Sequence, residues 1–417
     1  MLPFFYLKGF NMRSQKIQFN NAQNQTLVAY IDWPVDGKPV AYALFAHCFT
    51  CTKNLKANSF INRALVAQGI AVMRFDFTGL GESEGDFADT NFTSNVSDLV
   101  AAADYMQSQW QAPELLIGHS LGGPAILIAA TQIASSKAIV TIASPCDPEH
   151  VQHRLANAKT EIEQTGIAQV NIGGRNFNIK KQFLDDLRQH SMLDTISNLQ
   201  KALLILHSPV DNTVDIENAS RIFSAAKHPK SFISLDQADH LLSSKEDAFY
   251  VGRVIASWAA RYLALDTRKP RKPEKIAERV VVRIAEDHYF TEINANGHDL
   301  IADEPSSLGG QNFGPTPYEL LVAALGACTA ITLRMYADHK KIPVEEICVV
   351  LKHEKIHAED CDTCQGKTGK IDHIQREIEI IGAIDDKQRQ RLLEIADRCP
   401  VHKSIRSETL VTTQLKS

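Results

Sequence analysis

Short, almost wholly apolar runs set the rhythm of the first two thirds of the chain. They fall at residues 42–46, 70–75, 115–117, 138–143 and 202–207, with a more mixed run at 231–235. Between them lie longer stretches with helical periodicity, at 58–68 (closed by Gly69), 96–109, 124–133 and 248–265. A strand that is apolar on both sides needs cover on both faces. The alternation therefore predicts an α/β domain, a doubly wound and mostly parallel sheet with helices on each side. Residues 16–32 predict two strands around a polar turn at 20–25. Residues 145–199 break the rhythm with a polar helix and a hairpin at 170–179 that turns at Gly173-Gly174. An insertion at this point lies above the carboxyl edge of the sheet, as a cap.

Beyond residue 265 the pattern changes. Arg268, Lys269, Arg271, Lys272 and Lys275 alternate with Pro270 and Pro273, which reads as a solvated linker, with a nucleic-acid patch as the alternative. Three short strands are predicted at 280–284, 289–294 and 298–302, then a long apolar helix at 318–338, read as a buried core helix. Alternating strands at 347–355 and 374–381, an amphipathic helix at 385–398 and a last strand at 409–415 complete a smaller α+β domain. The resulting plan is an N-terminal extension (1–14), an α/β domain (15–265) with its cap (145–199), a linker (266–277) and a second domain (278–417). Patterned sequence begins just after Met12, so Met1 and Met12 are both candidate starts.

Composition narrows the function classes. A chain of 417 residues suits two domains, and a net charge of −5 argues against a general nucleic-acid or membrane binder. No apolar run approaches the length of a membrane span. The apolar stretch Met1 to Leu7 lacks a basic start and a cleavage site, so a cytoplasmic location is expected. There the eight cysteines are expected as thiols and not as a disulfide framework.

The chemistry gathers in two places. Gly118-His119-Ser120-Leu121-Gly122 ends an apolar run and precedes a small-residue helix, the context of a G-x-S-x-G nucleophile elbow. A serine nucleophile needs a base and an orienting acid. Asp211 follows the run ending at His207, and His240 follows the next one, so Ser120, Asp211 and His240 stand in the order such sites use. Asp215 and His207 are nearby competitors for which structural roles are expected, and His119 is expected to point away from the nucleophile. The oxyanion hole would draw on the amides of Leu121 and Phe49. Cys48-x-x-Cys51 reads as part of that loop, with a redox or metal pair as the alternative.

These motifs, with His47 and Asp76-x-x-Gly79-x-Gly81-x-Ser83, resemble the α/β-hydrolase family over residues 16–265. The resemblance implies a serine esterase or thioesterase acting on a small-molecule acyl ester or thioester. Family members usually place a glycine after the histidine, where this chain has Cys48. The second gathering, Gly314-Pro315-Thr316-Pro317-Tyr318-Glu319 with Cys328 and Arg398-Cys399-Pro400-Val401-His402, resembles the OsmC/Ohr family over residues 280–417. That resemblance implies a peroxidatic Cys328, a resolving Cys399, a supporting Glu319, an organic hydroperoxide, a thiol reductant and a homodimer formed by this domain. Two features depart from the pattern. No arginine occurs between Ile284 and Leu333, and Glu319 precedes Cys328 by nine residues where ten are expected. A ligand-binding or sensing module attached to a slow or inactive hydrolase is the rival reading. No cofactor or resident metal is expected. Cys361-x-x-Cys364, near His353, His357 and His373, is read as a loop with exposed thiols, metal binding being the alternative.

Overall fold

The computed structural model describes residues 14–35, 39–48, 53, 56–172, 175–263, 280–285, 288–357 and 369–415. The chain divides into two compact units, Met1–Arg283 with Glu292–Leu300, and Ile284–Thr291 with Ile301–Ser417.

The first unit begins with the hairpin β1 (Ser14–Asn20) and β2 (Thr26–Asp32), then β3 (Ala41–Ala46), α1 (Lys56–Val66), β4 (Ile70–Phe75), α2 (Phe92–Gln109), β5 (Leu115–His119), α3 (Gly122–Gln132) and β6 (Ala138–Ile142). The cap follows as α4 (Ala156–Thr165), β7 (Ile167–Ile172), β8 (Arg175–Lys180), α5 (Lys181–Leu187) and α6 (Met192–Ser197). β9 (Ala202–His207), α7 (Glu217–Ala225), β10 (Lys230–Ser234) and α8 (Lys245–Ala259) close it. The strands form one eight-stranded sheet in the order β1-β2-β4-β3-β5-β6-β9-β10. Pairings β1–β2 and β2–β4 are antiparallel and all others parallel. Every residue of β3, β5, β6 and β9 is buried, because α1 with α8, and α2 with α3, cover the sheet. The carboxyl ends of these strands consequently share one edge, where loops alone can carry polar groups.

The cap is tied to the helix below it by aromatic and polar contacts. Phe177 of β8 meets Phe87 edge-on at 5.1 Å, and both the amide and hydroxyl of Thr93 donate to Asp186 of α5. The β7–β8 pairing runs from Ile167 opposite Lys180 to Ile172 opposite Arg175; the glycine turn lies outside the described residues.

Farther along, β11 (Val280–Ile284), β12 (Thr291–Ala295) and β13 (His298–Ala302) make a three-stranded sheet. Then come α9 (Pro317–Lys340), the long hairpin β14 (Val344–His357) with β15 (Lys370–Gly382), α10 (Asp386–Ala396) and α11 (Pro400–Arg406). Leu333 and Ala337 of α9 meet Val344, Ile380, Leu392 and Ile395 in a compact core. Three expectations need correction. The long helix is not buried all round: Leu325, Thr329, Leu333 and Ala337, spaced four apart, form its buried stripe, while Ile331 and Met335 are 60% and 67% exposed. Contrary to the expectation that no apolar run approaches a membrane span, it is long and apolar enough for one by length and composition alone, but its buried stripe packs on β14 and α10. Residues 409–415 are not a strand either. Among the described residues they pair with no strand, and Leu410 and Leu415 are 92% and 100% exposed.

Candidate functional site

Ser120 sits between β5 and α3 with φ of +55°, the left-handed region that side chains other than glycine rarely adopt. The turn is that sharp because its neighbours have no side chain. A Cβ on Gly118 would lie 2.3 Å from the Gly122 carbonyl oxygen, and one on Gly122 would lie 2.5 Å from that of Ala46. The elbow thus lets α3 start directly against the end of β3.

His240, from the loop after β10, reaches Ser120 with Nε2 at 2.9 Å from Oγ. Its Nδ1 is 2.8 Å from Asp211 Oδ2. Asp211 lies in the loop after β9, where its Oδ1 accepts the amides of Thr213 at 2.8 Å and Val214 at 3.0 Å. Burial pushes the Asp211 carboxyl up, but the hydrogen bonds from His240 and these two amides outweigh it and hold the group below its ordinary value. Ser120, Asp211 and His240 are thereby brought together at the sheet edge. Leu121 opens α3; Phe49 lies outside the described residues.

The competing residues have other duties. Asp215 Oδ1 accepts the Glu217 amide at 2.8 Å at the start of α7. His207 is fully buried, donates from Nε2 to the Val214 carbonyl at 2.8 Å and so braces the loop that carries Asp211. His119 was expected to point away from the nucleophile. Its Nε2 donates to the His240 carbonyl at 2.7 Å, with the two rings 5.5 Å apart, and fixes the His240 backbone. Burial, with His240 alongside, lowers the His119 pKa to about 4, so it is neutral in this role. Asp76 and Lys53 form a buried ion pair at 2.5 Å, with Asp76 Oδ1 also accepting the Lys53 amide at 2.8 Å. The Asp76 turn motif is accounted for by this pair and by the Ser83 hydroxyl, which donates to the Asp76 carbonyl at 2.6 Å. Cys48 departs from the all-thiol expectation: it is disulfide-bonded, and its partner lies outside the described residues.

In the second unit, Cys328 is partly exposed in the middle of α9, and Cys399 is buried at the start of α11; both are free. Cys399 Sγ accepts the His402 amide at 3.4 Å. Burial raises the Cys399 thiol pKa, but the Cys328 thiol, the His402 amide and the Thr329 side chain beside it bring it below the ordinary value. Cys328 is thus among the groups that lower the Cys399 pKa. Glu319 is not brought to them. That side chain accepts the Thr316 amide at 2.7 Å while Thr316 Oγ1 accepts the Glu319 amide at 3.2 Å, a capping box at the start of α9. Nine residues of helix, about 13 Å of rise, separate it from Cys328. Cys361 and Cys364 lie outside the described residues. Among the described residues no cluster of side chains is arranged to hold a metal; His353 is engaged with Asp372 at 2.9 Å and His373 with Glu354 at 3.5 Å.

The model of the serine aminopeptidase S33 family matches residues 39–178, and that of OsmC-like protein matches residues 309–414. The esterase domain of a Rhodothermus marinus protein is 49% identical, with a TM-score of 0.51, and covers 60% of this chain and 100% of that one. The chain is an α/β hydrolase joined to an OsmC-like domain. Mouse palmitoyl-protein thioesterase ABHD10, mitochondrial, is 27% identical over 187 residues, which is 43% of this chain and 62% of the relative. The chain thus spans about three fifths of that protein's length. The solved alpha/beta hydrolase domain-containing protein 10 from mouse, at 20% identity and a TM-score of 0.51 over 59% of this chain and 99% of that one, shares the hydrolase fold.

One residue of the OsmC-like domain escaped the sequence reading. Arg376, on β15, donates to Thr329 Oγ1 at 3.0 Å, next door to Cys328. The family pattern places an arginine upstream of α9, whereas this one comes from a strand 48 residues downstream of Cys328. Its inward position in an alternating strand was the available signal.

Proposed function

We propose that the α/β-hydrolase domain is a serine hydrolase that cleaves small-molecule acyl esters or thioesters through an acyl-enzyme. The observation that carries this reading is the unbroken hydrogen-bond chain from Asp211 through His240 to Ser120. In it, His240 Nε2 takes the proton of Ser120 Oγ as that oxygen attacks the acyl carbon. Asp211 keeps the other ring nitrogen protonated and stabilises the imidazolium. Amides of Leu121 and Phe49 would receive the oxyanion. His240 then returns the proton to the departing alcohol or thiol, and water repeats the sequence to release the acid. The esterase domain and the thioesterase among the relatives support this substrate class. The test is covalent labelling of the intact protein by a fluorophosphonate. A single adduct that maps to Ser120 and is absent from Ser120→Ala is expected; labelling that persists in that variant removes Ser120 from the role.

The OsmC-like domain, on the same reading, reduces organic hydroperoxides in the cytoplasm with electrons from a thiol reductant. The place of Cys328 among the groups that lower the Cys399 pKa supports it. The exposed flank of α9, with Ile331 and Met335, supports assembly as a homodimer through this domain. Light scattering on the full chain should give twice the mass of one chain, and Ile331→Asp with Met335→Asp should give one. A wild-type monomer at micromolar concentration removes the dimer.

A further inference from the structure

Thr329, adjacent to Cys328, is fully buried, and its hydroxyl donates to the Leu325 carbonyl at 2.8 Å. The same oxygen accepts Arg376 Nη1 at 3.0 Å. That guanidinium also donates to the Ala396 carbonyl at 3.2 Å and, through Nη2, to Asp397 Oδ1 at 2.6 Å. Ala396 ends α10 and Asp397 caps it, two residues before Cys399. One side chain from β15, itself only 13% exposed, therefore holds both segments that carry the thiols.

Resolution of an oxidised Cys328 needs Cys399 as a thiolate. A buried thiolate needs donors and a nearby positive charge. The groups set against it are the Cys328 and Thr329 side chains from α9 and the amides of Val401 and His402 from α11, with Arg376 of β15 reaching it through Thr329 and bonded on its other side to Asp397. Burial, with Arg376 and Arg406 alongside, holds His402 below its ordinary pKa, so the imidazole is neutral near pH 7 and the guanidinium carries the charge. When Cys399 ionises, the Thr329 hydroxyl can turn its proton from Leu325 to the sulfur while its oxygen keeps accepting from Arg376. The positive charge then acts on the thiolate through one hydroxyl.

We propose that Arg376 is a positioning residue for the resolving step: acting through Thr329, it holds Cys399 as a thiolate facing Cys328. This rests on the thiol-redox reading of the domain. In the first step the Cys328 thiolate takes the terminal oxygen of the hydroperoxide. The O–O bond breaks, and the alkoxide takes a proton to leave as the alcohol. In the second step the Cys399 thiolate attacks the sulfenic sulfur; the S–S bond forms and hydroxide leaves, protonated to water. The two thiols supply the two electrons that the peroxide gains.

The test uses the full chain, one equivalent of tert-butyl hydroperoxide, and two readouts by mass spectrometry: the Cys328–Cys399 disulfide, and dimedone capture of sulfenate at Cys328. Arg376→Met should close the disulfide at least tenfold more slowly and accumulate the dimedone adduct, and Arg376→Lys should restore part of the rate. Thr329→Val, which leaves the Arg376 contact with Asp397 in place, should behave like Arg376→Met. The pH profile of iodoacetamide alkylation of Cys399, taken in a Cys328→Ser background, should move to higher pH in both. Closure at the wild-type rate with an unmoved alkylation profile overturns the proposal. If the wild type yields neither sulfenate nor disulfide, the redox reading fails, and the alkylation profile alone decides whether Arg376 keeps Cys399 ionised.

Discussion

The two proposed sites are held in opposite ways. Ser120, Asp211 and His240 all stand on loops at the carboxyl edge of a sheet whose central strands are completely buried. Their positions are fixed mainly by backbone: the Thr213 and Val214 amides hold the acid, the His240 carbonyl holds the base through His119, and glycine contacts shape the turn under the serine. Cys328 and Cys399 stand on a helix with an exposed flank and on a short helix start, and a side chain, Arg376, joins the two segments. A backbone-built site tolerates changes around it and fails when one of its reacting groups is removed. A side-chain-built site is graded, because each supporting group can be lost by one substitution.

The sharpest break in this comparison comes from removing the base. His240→Gln should lower kcat/KM for an activated acyl ester by about three orders of magnitude or more, as for the loss of other triad members. Hydroperoxide-driven disulfide formation should be unchanged in that variant. Cys328→Ser should do the reverse. A single substitution that silences both activities would show that the two sites do not work independently.

Stability should divide in the same sense. Lys53→Met takes the ammonium away from the buried Asp76 carboxylate and leaves it the amides of residue 53 and Glu82, and loss of one partner of a buried pair costs about 3–5 kcal/mol. The urea midpoint of the α/β-hydrolase domain should fall accordingly. Lys352→Ala removes a pair with Glu354 on the exposed hairpin and should leave every midpoint unmoved. An insensitive Lys53→Met protein would mean that the Lys53–Asp76 pair does not support the fold.

How far each site was legible follows from the same difference. Apolar runs announce buried strands, strand ends announce catalytic loops, and Ser120, Asp211 and His240 needed nothing more to be named. His119 was half read, because its partner is a carbonyl 121 residues away and carbonyls leave no mark on a sequence. Arg376 was missed because nothing local connects β15 with α9. The exposed flank of α9 was misread as core, since an apolar surface awaiting a partner and an apolar surface inside a domain have the same composition. Residues 409–415 alternate as a strand does, but a strand also needs a neighbour to pair with, and pattern alone does not supply one.

The neutral state of His119 gives the hydrolase domain a pH dependence of known sign. Its folded pKa, about 4, lies below the ordinary histidine value of 6.5. Between those values the unfolded chain takes up a proton that the folded chain refuses. The contribution is therefore complete above pH 6.5 and is lost as the pH falls toward 4, a change of about 3 kcal/mol. His47 and His207, also held low by burial, act in the same direction. Urea midpoints from pH 7 to 4.5 should fall steeply in the wild type and less steeply in His119→Gln, which can still donate to the His240 carbonyl. Equal slopes would mean that His119 is not the neutral brace described above.

The smallest effect separates two accounts of Glu319. The resemblance to the OsmC family makes it a supporter of the thiols, whereas the structure places it in a capping box with Thr316, and Thr-x-x-Glu before an apolar run is itself the sequence mark of such a box. Capping is a local matter of helix-end amides. Thr316→Ala should cost about 1 kcal/mol in the unfolding of the OsmC-like domain. Glu319→Gln should cost less, because the amide oxygen can still accept the Thr316 N–H. Neither change alters the groups around Cys399, so disulfide closure after hydroperoxide should keep its wild-type rate in both. A Glu319→Gln protein with an unshifted melting curve but tenfold slower closure would return the glutamate to the chemistry. The contact would then have to come from a second copy of the chain, since within one chain about 13 Å of helix stands between Glu319 and Cys328.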